Sequence, residues 1–375
     1  MAVPHSLLQL FKRARGFPLL AALCLFAAAA FAQQPQPPNP RLLHRPPPKP
    51  SRQSAVTPEG RIHLDVVIAD PAGKPVLGLQ PWDFTLLDNG KHAKILSFRA
   101  FNSATVKPEP PVQVFLLLDT VNQDFSEVAF VRHQLEDFLR SNGGLLPLPV
   151  SLIVFGAKGV RIQARPTQDG NALAKMVHRL HGTVRTLDPA MGSQGALERF
   201  QLSVRQLESI AENSARQPGR KLLVWLGYGW PILNRPDQGF SQAEQRRYFD
   251  AIVELTNRLR EARMVLYSVN PTYDSAVYSQ TYRAFLNPVL TARQADTGNL
   301  ALKVLVTQTG GKILGPSNDL AGQVRQCMVD ADKFYTLSFN PPAAESTNVY
   351  HSLQVQVDHP GLTVRTSAGY YNEPK

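Results

Sequence analysis

The sequence predicts an α/β protein: a doubly wound sheet with helices on both faces, joined to a small β-sandwich unit. Three observations carry that prediction. VQVFLLLD (112–119), VSLIVFG (150–156), KLLVWLG (221–227) and MVLYSVN (264–270) are nearly unbroken apolar runs. Such runs mark strands buried on both sides of a parallel sheet. Between them lie stretches with apolar residues at helical spacing. At the two ends of the chain the pattern instead alternates with period two, the mark of strands with one face buried.

The first β segment opens with Ile62, Leu64, Val66 and Ile68 alternating with mostly polar neighbours. Pro71–Gly73 turns the chain, Phe84–Leu87 gives a second strand, and Asp88-Asn89-Gly90 is a hairpin signal. Ile95–Phe101 gives a third strand, and the Pro-rich text at 108–111 breaks the pattern. The first amphipathic helix carries Val128, Val131, Leu135, Phe138 and Leu139 on one face. After the second apolar strand come a short partner at Val160–Ile162, a helix near 170–180, and a longer one with Leu197, Phe200, Val204 and Leu207 in register. A helix with Phe249, Ile252, Val253 and Leu259 separates the last two apolar strands. A helix near 299–309, a strand at Gly311–Leu314 and a helix over Asp319–Lys333 complete the alternation. The chain then returns to β pattern in Tyr335, Leu337, Phe339, in Leu353, Val355, Val357, and in Leu362, Val364. Each end is too small to bury a core alone, so the two are expected to pair, with the α/β part inserted between them.

The N-terminus reads as a cleavable signal peptide over 1–32. Lys12, Arg13 and Arg15 form a basic start, Phe17–Ala30 is apolar or small, and Ala30-Phe31-Ala32 supplies the cleavage pattern. The apolar run is shorter than the roughly 20 residues that span a bilayer. The resulting organisation is a signal peptide (1–32), a Pro-rich linker (33–56), a β unit (57–108), the α/β domain (111–333) and the rest of the β unit (334–375). The expected location is outside the cytoplasm: periplasm, envelope or extracellular. No integral membrane segment is expected after cleavage.

Cleavage removes Cys24 and leaves Cys327 alone, which excludes an intramolecular disulfide. Cys327 falls at helical spacing with Leu320, Val324 and Ala331 and reads as a core thiol. The net charge of +11 is spread along the chain, without the dense basic run that nucleic-acid binding favours. There is no G-x-S-x-G elbow, Walker A or HExxH motif, so no catalytic residue is assigned and an enzyme is not expected. His178 and His181 have a ligand-like spacing on a helix, with no third ligand beside them.

The segments VIADPAGKPVLGLQPWDFTLLDNGK, VFLLLDTVNQ, VSLIVFGAKG, VLYSVNP and YTLSFNPP…VRTSAGYY, in that order, resemble the VWFA-related proteins described from acidobacteria. The resemblance covers nearly the whole chain after the linker. It implies a von Willebrand factor type A domain flanked by a β unit, a fold used outside cells mostly to bind proteins. It also implies where a metal-ion-dependent adhesion site belongs: Asp-x-Ser-x-Ser after the first apolar strand, a loop Thr, and an Asp after the strand at 221–227. Asp119 matches the first position, but Val121 and Gln123 stand in place of the serines and Tyr228 in place of the second Asp. Thr183 and Thr186 both suit the loop position. The site is therefore degenerate. No metal ligand is assigned and Mg²⁺ is not expected, although Asn122 and Asp124 offer substitute oxygens. Asp119 itself reads as a carboxylate that accepts N–H groups of its own turn and caps the next helix.

Ligands of doubly wound sheets sit at the carboxyl ends of the strands. Asp119, Asn122, Asp124, Trp230 and Tyr273 fall there and are the candidate binding residues, with Trp225, Tyr228 and Trp230 as a candidate aromatic rim. The expected function is non-catalytic binding of a protein partner outside the cytoplasm. The alternative is a structural or assembly subunit of a cell-envelope complex.

Overall fold

The computed structural model describes residues 60–372, apart from 103–104, 106–107, 111, 164, 181–191, 231, 234–238, 271–280 and 344–345. The strands are β1 (Ile62–Ala69), β2 (Phe84–Asp88), β3 (Lys91–His92), β4 (Ser97–Asn102), β5 (Gln113–Asp119), β6 (Leu145–Gly156), β7 (Gly159–Ile162), β8 (Thr167–Asp169), β9 (Lys221–Leu226), β10 (Met264–Val269), β11 (Ile313–Leu314), β12 (Lys333–Phe339), β13 (Tyr350–Val357), β14 (Thr363–Arg365) and β15 (Gly369–Tyr371). Among the described residues the α-helices are α1 (Phe125–Arg140), α2 (Gly170–His178), α3 (Gly192–Ala215), α4 (Gln242–Glu261), α5 (Leu302–Gln308) and α6 (Leu320–Asp332).

The apolar runs form one seven-stranded sheet in the order β11-β10-β9-β5-β6-β7, with β8 also on β6. Its central pairs are parallel, and β7 and β8 run antiparallel to β6. Alternate residues of β5 divide between two cores. Val114, Leu116 and Leu118 pack with α1, α2 and α6, whereas Phe115 and Leu117 pack with α3, α4 and α5. Helices thus cover both faces, which is why these strands carry no polar alternation. Cys327 lies in the first of these cores, and burial pushes its thiol pKa up.

The two ends of the chain do pair. β1 runs antiparallel to β12 from Ile62↔Phe339 to Val66↔Tyr335, within a sheet ordered β14-β1-β12-β4. A second four-stranded sheet is ordered β15-β13-β2-β3. Ile62, Leu64, Val66, Phe84, Leu86, Leu337 and Val355 share the third core. The third strand differs from its expected course. Asn89 and Gly90, both at positive φ, make the tight turn, but the turn leads only into two-residue β3. The chain then crosses between sheets, and Ser97–Asn102 pairs with β12. The expected helix near 299–309 is divided: a 3-10 turn at Thr297–Leu300 precedes α5.

Candidate functional site

The carboxyl end of β5 leads into the turn that holds Asp119. Asp119 Oδ1 accepts the backbone N–H of Val121 (2.9 Å) and of Asn122 (3.0 Å). Its Oδ2 accepts Asn122 Nδ2 (2.9 Å) and the indole Nε1 of Trp225 (2.9 Å). A carboxylate offers about four lone-pair positions, and here an N–H occupies each. The side chain is 0% exposed. Burial pushes its pKa up, opposed by these hydrogen bonds.

The neighbouring residues lock the same turn. Asn122 Nδ2 also donates to Ser203 Oγ of α3 (3.0 Å), and Thr120 Oγ1 donates to the Phe155 carbonyl (2.8 Å). Gln123 Nε2 bridges the carbonyls of Asp119 (2.6 Å) and Leu226 (3.1 Å), tying β5 to β9. Gly227 must be glycine for this: its φ is +144°, and a Cβ would sit 2.7 Å from Gln123 Nε2. Val121 is in the apolar core.

Asp119 does not cap the following helix; Asp124 does. Asp124 Oδ1 accepts the N–H of Glu127 (2.8 Å), and Glu127 Oε2 accepts the N–H of Asp124 (2.9 Å), a reciprocal capping box. These bonds hold the Asp124 carboxyl below its ordinary pKa. Tyr228 reaches over from β9 and its hydroxyl donates to Glu127 Oε2 (2.8 Å). Burial, and then this acceptor, push the Tyr228 pKa up.

This donor set does not fit a hard divalent cation. Such ions take oxygen ligands with one or two carboxylates, and the Asp119 carboxylate is saturated by N–H groups. Val121 has no oxygen to give, and Tyr228 is committed to Glu127. The Oδ1 of Asn122 and Oε1 of Gln123 are buried without a hydrogen-bond partner, but both are neutral. Among the described residues no group of three His, Cys, Asp or Glu is placed to hold a metal.

The structure brings Asp119, Asn122 and Asp124 together on one turn, but it corrects the aromatic rim. Trp230 is only 5% exposed, stacks edge-on against Trp225 at 5.2 Å, and donates Nε1 to the Leu300 carbonyl (3.0 Å). Trp225 lies on β9 itself, and Trp230, just past the strand, packs into the same core. Tyr273, Thr183, Thr186 and His181 lie outside the described residues. His178 Nδ1 sits 3.3 Å from Glu136 Oε2.

Sequence reasoning missed Phe125. It is 66% exposed at the first turn of α1, beside the cap. Its spacing, three residues before Val128, is that of the buried stripe itself, so the local pattern gave no signal of its exposure. Trp82, at 79% exposure on the β unit, was likewise missed.

No protein-family profile matches the chain, and no curated protein matches it. Solved structures similar to it include the human COPII-coat protein Sec24c, at 9% identity and TM-score 0.34, covering 72% of this chain and 44% of that one. Another is the pilus adhesin SpaC from Lactobacillus rhamnosus GG, at 8% identity and TM-score 0.34, covering 78% and 49%. This chain spans less than half the length of each. The class defined by the fold is a mixed α/β protein with several sheets. Among the described residues no helix is long and apolar enough to cross a membrane.

Proposed function

We propose that this chain is an exported, non-catalytic protein-binding protein: a doubly wound, von Willebrand factor A-like domain inserted in a β-sandwich unit, whose adhesion site works without a bridging metal. The saturation of Asp119 by four N–H donors is the observation that carries this reading. With its N–H donors in place, Asp119 does not offer a bridging ion the carboxylate on which such a site is centred. Contact at the carboxyl end of the sheet then falls to exposed groups. Phe125 leads them, since aromatic anchors dominate many interfaces. Trp230, 5% exposed, has little area to contribute.

The test uses the mature chain from Gln33 as bait on envelope extract, with Mg²⁺ or with EDTA, followed by affinity measurement on the recovered partner. The reading expects a stoichiometric partner retained in EDTA and weakened by Phe125→Ala, by about 1–3 kcal/mol. Retention only with Mg²⁺, or full affinity in Phe125→Ala, would contradict it. A partner that never dissociates on dilution would favour the structural-subunit alternative.

A further inference from the structure

Where the β unit meets the amino ends of β9 and β10, cations outnumber anions. Asp65 of β1 is the one carboxylate shared by Arg263, which donates Nη2 to its Oδ1, by Arg220 at 3.8 Å, and by the field of Lys221. Arg220 is 2% exposed and Lys221 1% exposed. The nearby Asp330 does not relieve the imbalance, since its carboxylate already pairs with Arg365 (2.6 Å) and Lys312 (3.3 Å). Buried charges are normally matched one to one or neutralised. Consistent with an unmatched excess, burial first and then Arg263 depress the Lys221 pKa to about 8, and burial with Arg263 lowers that of His63.

A cavity of about 50 Å³ opens on the Asp65–Arg263 side of this cluster, lined in part by His63, Asp65, Thr256, Arg260, Arg263 and Gln308, with Arg220 and Lys221 behind it and not in its wall. That is several times the space one water needs by a comparable measure. Arg260 has no hydrogen-bond partner among the described residues, and its nearest carboxylate is Glu261 at 3.7 Å. The Nε atoms of Arg260 and Arg263 are both buried without a partner. Arg263 also holds φ at +50° just past the end of α4, where glycine or asparagine is the usual choice. Its side chain is therefore what the position requires. The carbonyl end of α4 favours cations near Arg260 and Arg263, but it does nothing for Arg220 and Lys221 at the start of β9.

We propose that this cavity binds a small tetrahedral oxyanion, phosphate or sulfate, held by Arg260 and Arg263 with His63 at its side. The ligand completes the charge balance between the β unit and the α/β part, and so stabilises their contact.

Thermal melts of the mature protein at pH 7 test this, with 0–10 mM phosphate or sulfate against chloride of matched ionic strength. A saturable rise in Tm is expected with either oxyanion and not with chloride. Arg260→Met and His63→Gln should melt like the parent in chloride yet weaken the apparent Kd at least tenfold. Line broadening of the phosphate ³¹P resonance by the parent, lost in Arg260→Met, is the second readout. A Tm that follows ionic strength alone, or an oxyanion response that both variants retain in full, would overturn the proposal.

Discussion

The indole of Trp225, on β9, donates its N–H across 2.9 Å to the Asp119 carboxylate at the end of β5. That bond fills the last acceptor position of the acid that a metal-dependent adhesion site would need. It converts a ligand into a brace between two central strands.

The brace predicts a stability role for Asp119. Asp119→Ala leaves two backbone N–H groups, the Asn122 amide and the Trp225 indole without their acceptor. At about 1–3 kcal/mol for each unsatisfied buried group, with partial relaxation, a loss of about 3–5 kcal/mol is expected. Urea unfolding measures it. A change below about 1 kcal/mol would show that the turn does not depend on the carboxylate.

Trp230→Ala should destabilise the fold by about 3–5 kcal/mol, because it empties a packed site against Trp225 and removes the bond to Leu300. The check is the midpoint and slope of denaturant unfolding. An unchanged midpoint would return Trp230 to the role of an exposed contact residue.

Asp65 sets an acid limit. Burial works against its charge, but Arg263, Arg220 and the Thr336 hydroxyl outweigh it and hold the carboxyl below its ordinary value of 3.8. A depressed acid stabilises the fold above the unfolded pKa, and that contribution disappears as pH falls through the folded value. The stability gap between the parent and Asp65→Asn should therefore be steady, at about 3–5 kcal/mol, from pH 7 to 5. It should shrink below about pH 4. A gap that widens on acidification would reverse the assignment.

Removing residues 333–375 deletes the partners of β1 and exposes Ile62, Leu64 and Val66, all buried in the third core. Aggregation or rapid proteolysis of the 60–102 segment is expected. Full protection of that segment in the truncated chain would show that the N-terminal strands fold without the C-terminal ones.

The sequence carried some of this plainly. The four apolar runs had no other reading than strands covered on both faces, and the two alternating ends lacked the area to stand alone. The route from β3 to β4 was hidden, because Asn89-Gly90 specifies a turn and not the length of the strand that follows it. Trp230 was misread because an aromatic just past a strand has the same local pattern whether the chain folds outward or back over the sheet. Phe125 was overlooked because, as the first residue of α1, it stands at helical spacing from Val128 and nothing local marks it as exposed. The departures from a metal-ion-dependent adhesion motif were legible in Val121, Gln123 and Tyr228. The saturation of Asp119 was not, since it depends on Trp225, more than a hundred positions away.

Calorimetric titration of Mg²⁺ and Mn²⁺ into residues 33–375 tests the central claim most directly. With all four acceptor positions of Asp119 occupied, no binding tighter than about millimolar is predicted. A tighter affinity that disappears in Asp119→Ala, in a variant shown to be folded, would mean that the carboxylate exchanges its N–H donors for a metal, and would contradict the account.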